Sequence, residues 1–127
     1  MKTIISTPKA PSAIGPYNQA TAFDKLIFTS GQIALDPATM EIVSGGVQEQ
    51  TKQVMENLKA VLEEAGSSFE NVLKTTCYLS DMDNFVAFNE IYGQYFKGET
   101  APARSTVAVK TLPKNVLVEV DTIAFKN

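Results

Sequence analysis

The chain has 127 residues, with 11 lysines and arginines against 14 aspartates and glutamates, one cysteine and no histidine. The length fits one domain, residues 1–127. The missing histidine excludes Ser-His-Asp and Cys-His nucleophilic catalysis and His-ligated zinc sites, and the lone cysteine excludes an intramolecular disulfide.

The net charge of −3 argues against a nucleic-acid partner, which ordinarily meets a basic patch. No apolar run approaches the roughly 20 residues that span a bilayer. The N-terminus reaches Pro8 and Pro11 without the apolar core of a secretory signal. These features predict a cytoplasmic protein that does not engage membranes.

Along the chain, Thr3–Ser6 reads as a short strand before a Pro-broken loop. Tyr17–Phe23 and Lys25–Thr29 read as two strands joined near Asp24. Gly31 follows at once, where a glycine signals a bulge or a close backbone approach. Val47–Ala65 carries the clearest helical stripe, with Val47, Val54, Leu58, Val61 and Ala65 on one side. Gly66 stands where a left-handed cap belongs. Val72–Ser80 predicts a strand, with Cys77 as a small buried hydrophobe. Asp81 or Asp83 then caps a second helix, Met82–Phe96, whose stripe is Phe85, Phe88, Tyr92 and Phe96. Arg104–Val109 and Val116–Phe125 predict two final strands joined as a hairpin. The order β-β-β-α-β-α-β-β fits an α+β sandwich with both helices on one face of a mixed sheet of about six strands.

The last strand separates with period two. Val116, Val118, Val120, Thr122 and Ala124 share one face; Leu117, Glu119, Asp121, Ile123 and Phe125 share the other. A symmetric hairpin would place Thr106 opposite Glu119 and Arg104 opposite Asp121, away from the helices. Two readings of that constellation stand. Arginine's planar fork can hold a substrate carboxylate while a glutamate manages a water. Alternatively, the residues form a structural cross-strand ion pair. The same face carries Leu117, Ile123 and Phe125 with no helix to cover it, which predicts a second subunit there.

Ala101-Pro102-Ala103-Arg104-Ser105-Thr106-Val107, Leu112-Pro113 and Val118-Glu119-Val120 resemble the signature of the reactive intermediate deaminase (Rid, also YjgF) family. Ile14-Gly15-Pro16-Tyr17-Asn18-Gln19-Ala20, Phe28–Ile33, Val72–Thr76 and Phe88-Asn89-Glu90-Ile91-Tyr92 agree, nearly end to end. The resemblance implies a chorismate-mutase-like fold and a homotrimeric barrel with clefts between subunits. It implies hydrolysis of 2-imino acids and their enamine tautomers to 2-keto acids and ammonia, without cofactor or metal. Such intermediates leak from enzymes like threonine dehydratase on the route to isoleucine. It further implies that Arg104 clamps the substrate carboxylate, Glu119 positions water and Tyr17 closes the site from a neighbouring subunit. Asn89, Ser30, Gly31 and Thr106 would line the site, Thr106 where many members have cysteine. Two other activities stay open: a non-catalytic ligand-binding regulator of branched-chain amino-acid metabolism, and an endoribonuclease or translation inhibitor.

Overall fold

A computed structural model describes all 127 residues. Its strands are β1 (Thr3–Ile5), β2 (Ala20–Phe23), β3 (Leu26–Thr29), β4 (Val72–Leu79), β5 (Ala103–Ala108) and β6 (Val118–Phe125). The helices are α1 (Val47–Glu64), between β3 and β4, and α2 (Phe85–Tyr95), between β4 and β5. The element order is the one the sequence predicts.

Helix α1 forms because its apolar stripe finds the sheet. Val54, Leu58, Val61, Met55 and Leu62 are all fully buried. Each such side chain contributes about 1.5–3 kcal/mol relative to exposure. At its start the Gly46 N–H donates to Glu49 Oε1 at 2.7 Å. At its end Gly66 adopts a φ of +81°, and the Gly66 and Ser67 N–H groups donate to the Glu63 and Leu62 carbonyls. That pattern closes the last turn and suits glycine, which has no Cβ to clash in the left-handed region. Helix α2 starts one turn later than its sequence implies. Met82–Asn84 forms a tighter 3₁₀ turn, with the Asp83 N–H donating to Asp81 Oδ1 at 2.8 Å.

The sheet order is β1-β2-β3-β6-β4-β5. All neighbours are antiparallel except β4 and β5, which run parallel. This overturns the predicted C-terminal hairpin. The chain between β4 and β5 contains α2, and a helical crossover returns a strand parallel to the one before it. Strand β6 then lies between β3 and β4, antiparallel to both. The connection from β5 to β6 passes over the end of β4, where Val109 N–H donates to Leu79 O and Ser80 N–H to Leu117 O. Lys114 and Asn115, both at a φ of +56°, bend the chain across that gap.

The corrected pairing reassigns the faces of β5. Arg104 aligns with Thr75, and Thr106 with Cys77. Thr75 and Cys77 are buried beneath the helices, so Arg104, Thr106 and Ala108 face the helix side. Glu119 aligns with Tyr78 and Asp121 with Thr76, on the opposite face. Thus Thr106 is not opposite Glu119, and Arg104 is not opposite Asp121. The two faces of β6 are as predicted: Val118, Val120, Thr122 and Ala124 are buried, and the alternate residues are partly open. On that open face Leu26 and Phe28 are exposed, as is Val107 on the edge strand.

Candidate active site

Four of the predicted site residues come together in a cleft of about 520 Å³: Tyr17, Ser30, Gly31 and Glu119. Glu119 reaches it from β6, and the segment after β3 supplies the facing wall. Gln32 and Val120 exchange two backbone hydrogen bonds, at 2.9 and 3.2 Å, which dock that segment beside Glu119. The Gly31 backbone approaches the Glu119 side chain closely. A Cβ would stand 2.8 Å from the Glu119 Cδ and overlap its carboxylate oxygen. Burial pushes the Glu119 carboxyl above the ordinary carboxylate range, and the negative charge of Asp121 adds to that.

The other walls are also fastened by hydrogen bonds. Gln19, buried, accepts from the Thr7 N–H at 2.7 Å and donates to the Pro11 carbonyl at 2.8 Å. It thereby ties down the loop that carries Pro11 and Ser12 into the cleft. Ser30 N–H donates to Gln19 O, and Ser30 Oγ donates to Asn18 O at 2.6 Å. Tyr17 is 49% exposed, and its hydroxyl accepts from the Ile14 N–H at 3.3 Å. Two buried polar residues of α1 brace the same region. Asn57 donates to the Ile33 and Leu35 carbonyls, and Gln50 Oε1 accepts from the Leu117 N–H at 2.8 Å.

Arg104, Asn89 and Thr106 form a separate group on the helix side of β5. Arg104 Nη1 donates to Asn89 Oδ1 at 2.7 Å. The guanidinium carbon lies 4.7 Å from the centre of the Tyr92 ring and 5.4 Å from that of Phe85. Both distances are within cation–π range. Thr106, expected on the face away from the helices, instead lies on the helix side, where its Oγ1 is buried with no hydrogen-bond partner. Its cross-strand neighbour Cys77 is buried, with a thiol pushed up to about 11 chiefly by burial. This thiol stays protonated near neutral pH, as befits a core side chain. Asp121 accepts from the Tyr78 hydroxyl at 3.3 Å on the open face, a structural contact.

The seven predicted residues therefore divide into two groups. Strand β4 separates β5 from β6, so the groups stand two strand spacings apart, roughly 10 Å, and on opposite faces. Lys114 and Pro113, which line the cleft, Gln19, and the Phe85 and Tyr92 rings beside Arg104 are not among the site residues predicted from the sequence. The last two had a signal. With Asn89 they fall at i, i+4 and i+7, one face of α2.

Residues 7–126 match the profile of the family described as Endoribonuclease L-PSP. The chain is 60% identical to a RutC family protein of Synechocystis sp., covering 95% of this chain and 94% of that one. It is 47% identical to the human 2-iminobutanoate/2-iminopropanoate deaminase, over 99% of this chain and 91% of the human one. Among solved structures, a protein of Thermotoga maritima superposes with a TM-score of 0.96 at 50% identity, covering 100% of this chain and 99% of that one. E. coli TdcF with bound serine gives 0.92 at 42% identity, covering 98% and 99%. With a matching profile and relatives this close over nearly its whole length, the chain belongs to the Endoribonuclease L-PSP family, the Rid family that its Arg104 and Glu119 segments resemble.

Proposed function

We propose that this protein hydrolyses 2-imino acids, and their enamine tautomers, to 2-keto acids and ammonia at sites shared between copies of the chain in a homotrimer. The observation that carries this reading is the separation of Arg104 from Glu119. A carboxylate clamp and a water-holding carboxylate are both present, yet one chain cannot bring them to one small molecule. A second copy can, because Arg104 stands on the sheet's free edge strand and the Glu119 face is open and partly apolar. The name of the human relative supports the reaction class, and the serine bound to TdcF supports a small carboxylate-bearing ligand.

In this reading Arg104 of one copy holds the substrate carboxylate through its outward N–H groups. That places C2 of the protonated imine over Glu119 of the next copy, with Tyr17 at the rim. Glu119 takes a proton from a bound water as the water oxygen attacks C2. The C=N π electrons move to nitrogen, which gives a carbinolamine. Glu119 returns the proton to nitrogen, the C–N bond breaks and ammonia departs. The hydroxyl collapses to the ketone and releases its own proton. A carboxylate raised above its ordinary range suits both the taking and the returning. The substrate carbon is already electrophilic, so positioning supplies most of the gain. No step asks for imidazole.

The test is to generate 2-aminoacrylate or 2-iminobutanoate in place with a serine/threonine dehydratase and time keto-acid release. Wild type accelerates release, and Arg104→Ala does not. No acceleration by wild type, or equal acceleration by Arg104→Ala, would sink the reading. The family's description as endoribonucleases motivates a parallel RNA-cleavage assay, and cleavage that survives further purification would favour that activity instead.

A further inference from the structure

We propose that Phe85 and Tyr92 are positioning residues: their rings hold the Arg104 guanidinium in one orientation and so preset its carboxylate-binding edge. The proposal rests on the anchor role given to Arg104 above.

Arg104 is an exposed side chain on an edge strand. Left alone, such an arginine samples many rotamers, and the apparent affinity of its ligand falls in proportion to the competent fraction. Here one face of α2 restricts it. Phe85 and Tyr92 stand near the guanidinium at 5.4 and 4.7 Å, and Asn89, between them on that face, accepts from Nη1 at 2.7 Å. The guanidinium has five donors, so the edge turned away from α2 keeps its remaining N–H groups for a carboxylate.

The Tyr92 ring is itself fixed. Its hydroxyl and Thr75 Oγ1 share a hydrogen bond at 2.8 Å, and it packs against Phe88 and Phe96 at ring separations of 5.4 and 4.8 Å. Thr75 is also the cross-strand partner of Arg104. The contacts therefore close a circuit. The β4–β5 register sets the Arg104 backbone and the threonine together, the threonine sets the ring, and the ring meets the guanidinium. A role confined to core packing would need no such circuit, because packing does not require an arginine beside the rings.

The experiment separates positioning from packing. Arg104→Ala, Phe85→Leu, Tyr92→Leu and Tyr92→Phe are compared with wild type in the dehydratase-coupled assay, in calorimetric titration with 2-oxobutanoate and in thermal melts. Phe85→Leu and Tyr92→Leu should each raise KM and the 2-oxobutanoate Kd by about 3- to 10-fold, with kcat within about 2-fold of wild type. Tyr92→Phe keeps the ring and loses the Thr75 hydrogen bond. It should melt earlier than wild type and, with the ring still packed against Phe88 and Phe96, raise KM by clearly less than Tyr92→Leu does. Two Leu variants with wild-type KM, or a Tyr92→Phe variant as impaired in KM as Tyr92→Leu, would overturn the proposal. Phe85 is only partly buried, so its variant carries the test if Tyr92→Leu does not fold. If Arg104→Ala binds 2-oxobutanoate as tightly as wild type, the anchor reading falls, and the positioning proposal falls with it. That result differs from one in which Arg104→Ala alone loses binding.

Discussion

The Glu119 cleft and the Arg104 platform are built by different means. The cleft is held through its backbone: a two-bond bridge to Val120, a glycine pressed on a carboxylate, and a loop whose main chain is tied down by the Gln19 amide. Side chains make the platform, where two rings and an amide face a cation on a free edge strand. Each means suits the task proposed for it above. A water-activating carboxylate needs a fixed, partly dry wall. A substrate anchor must project beyond its own chain, and a stiffened side chain does that without a loop.

The sharpest way to break this comparison is to damage one region per chain. If the proposed function holds, Arg104→Ala and Glu119→Gln should each lower kcat/KM by about 100- to 1000-fold, since each would remove a group that touches the reacting molecule. Co-refolded in equal amounts, the two inactive variants should recover activity. Random assortment in a cyclic trimer pairs an intact Arg104 with an intact neighbouring Glu119 at about one site in four. Steady-state rates of the mixture read this directly, and a mixture as inactive as its components would end the shared-site reading.

A smaller loss tests the backbone-built side alone. Gly31→Ala puts a methyl group into the space of the Glu119 carboxylate. The carboxylate end of Glu119 can turn aside into the cleft, so stability should change little, while displacing a catalytic group by about 1 Å costs up to ~100-fold in kcat. The 2-oxobutanoate Kd should move much less, because Arg104 is untouched. Melting curves, kcat and titration together check the separation; a Kd that rises as much as kcat falls would mean the two regions are not independent.

The same division explains what could be read from the sequence. Periodicity is a property of one element, so the helix stripes, the two faces of β6 and the Gly66 cap were all legible. The strand beside β5 is a property of the whole sheet, and alternation along β5 is silent about it. The clue lay elsewhere: α2 between β4 and β5 demands a parallel return, which the shortness of the last loop obscured. The resemblance picked out Arg104 and Glu119 but not their separation. Phe85 and Tyr92 read as core because apolar stripes serve packing and platform alike. Gln50 and Asn57 stayed hidden because polar residues within a helix signal solvent unless a buried carbonyl or N–H awaits them.

The mildest change probes the electrostatics of the cleft. Asp121 follows Glu119 by two residues on the same face, and its charge is the second cause, after burial, of the raised Glu119 carboxyl. Asp121→Asn removes that charge and leaves the burial. Glu119 must be ionised to take the proton, so activity falls as pH drops through its pKa. Relative to wild type, the acid limb of the variant should move to lower pH, with kcat on the plateau little changed. In the proposed trimer, Arg104 of a second copy would pull the Glu119 carboxyl the other way, but equally in both proteins, so the difference between their profiles isolates Asp121. Stability obeys the same sign. The Glu119 and Asp121 carboxyls are both raised in the fold, so the unfolded chain releases their protons first as pH rises, and stability declines across that window. With one of the two acids gone, the variant should lose less stability than wild type over the same pH range in paired melts. An acid limb that stays in place would assign the raised Glu119 carboxyl to burial alone, making the cleft wall rather than its charges the source of the poised carboxylate.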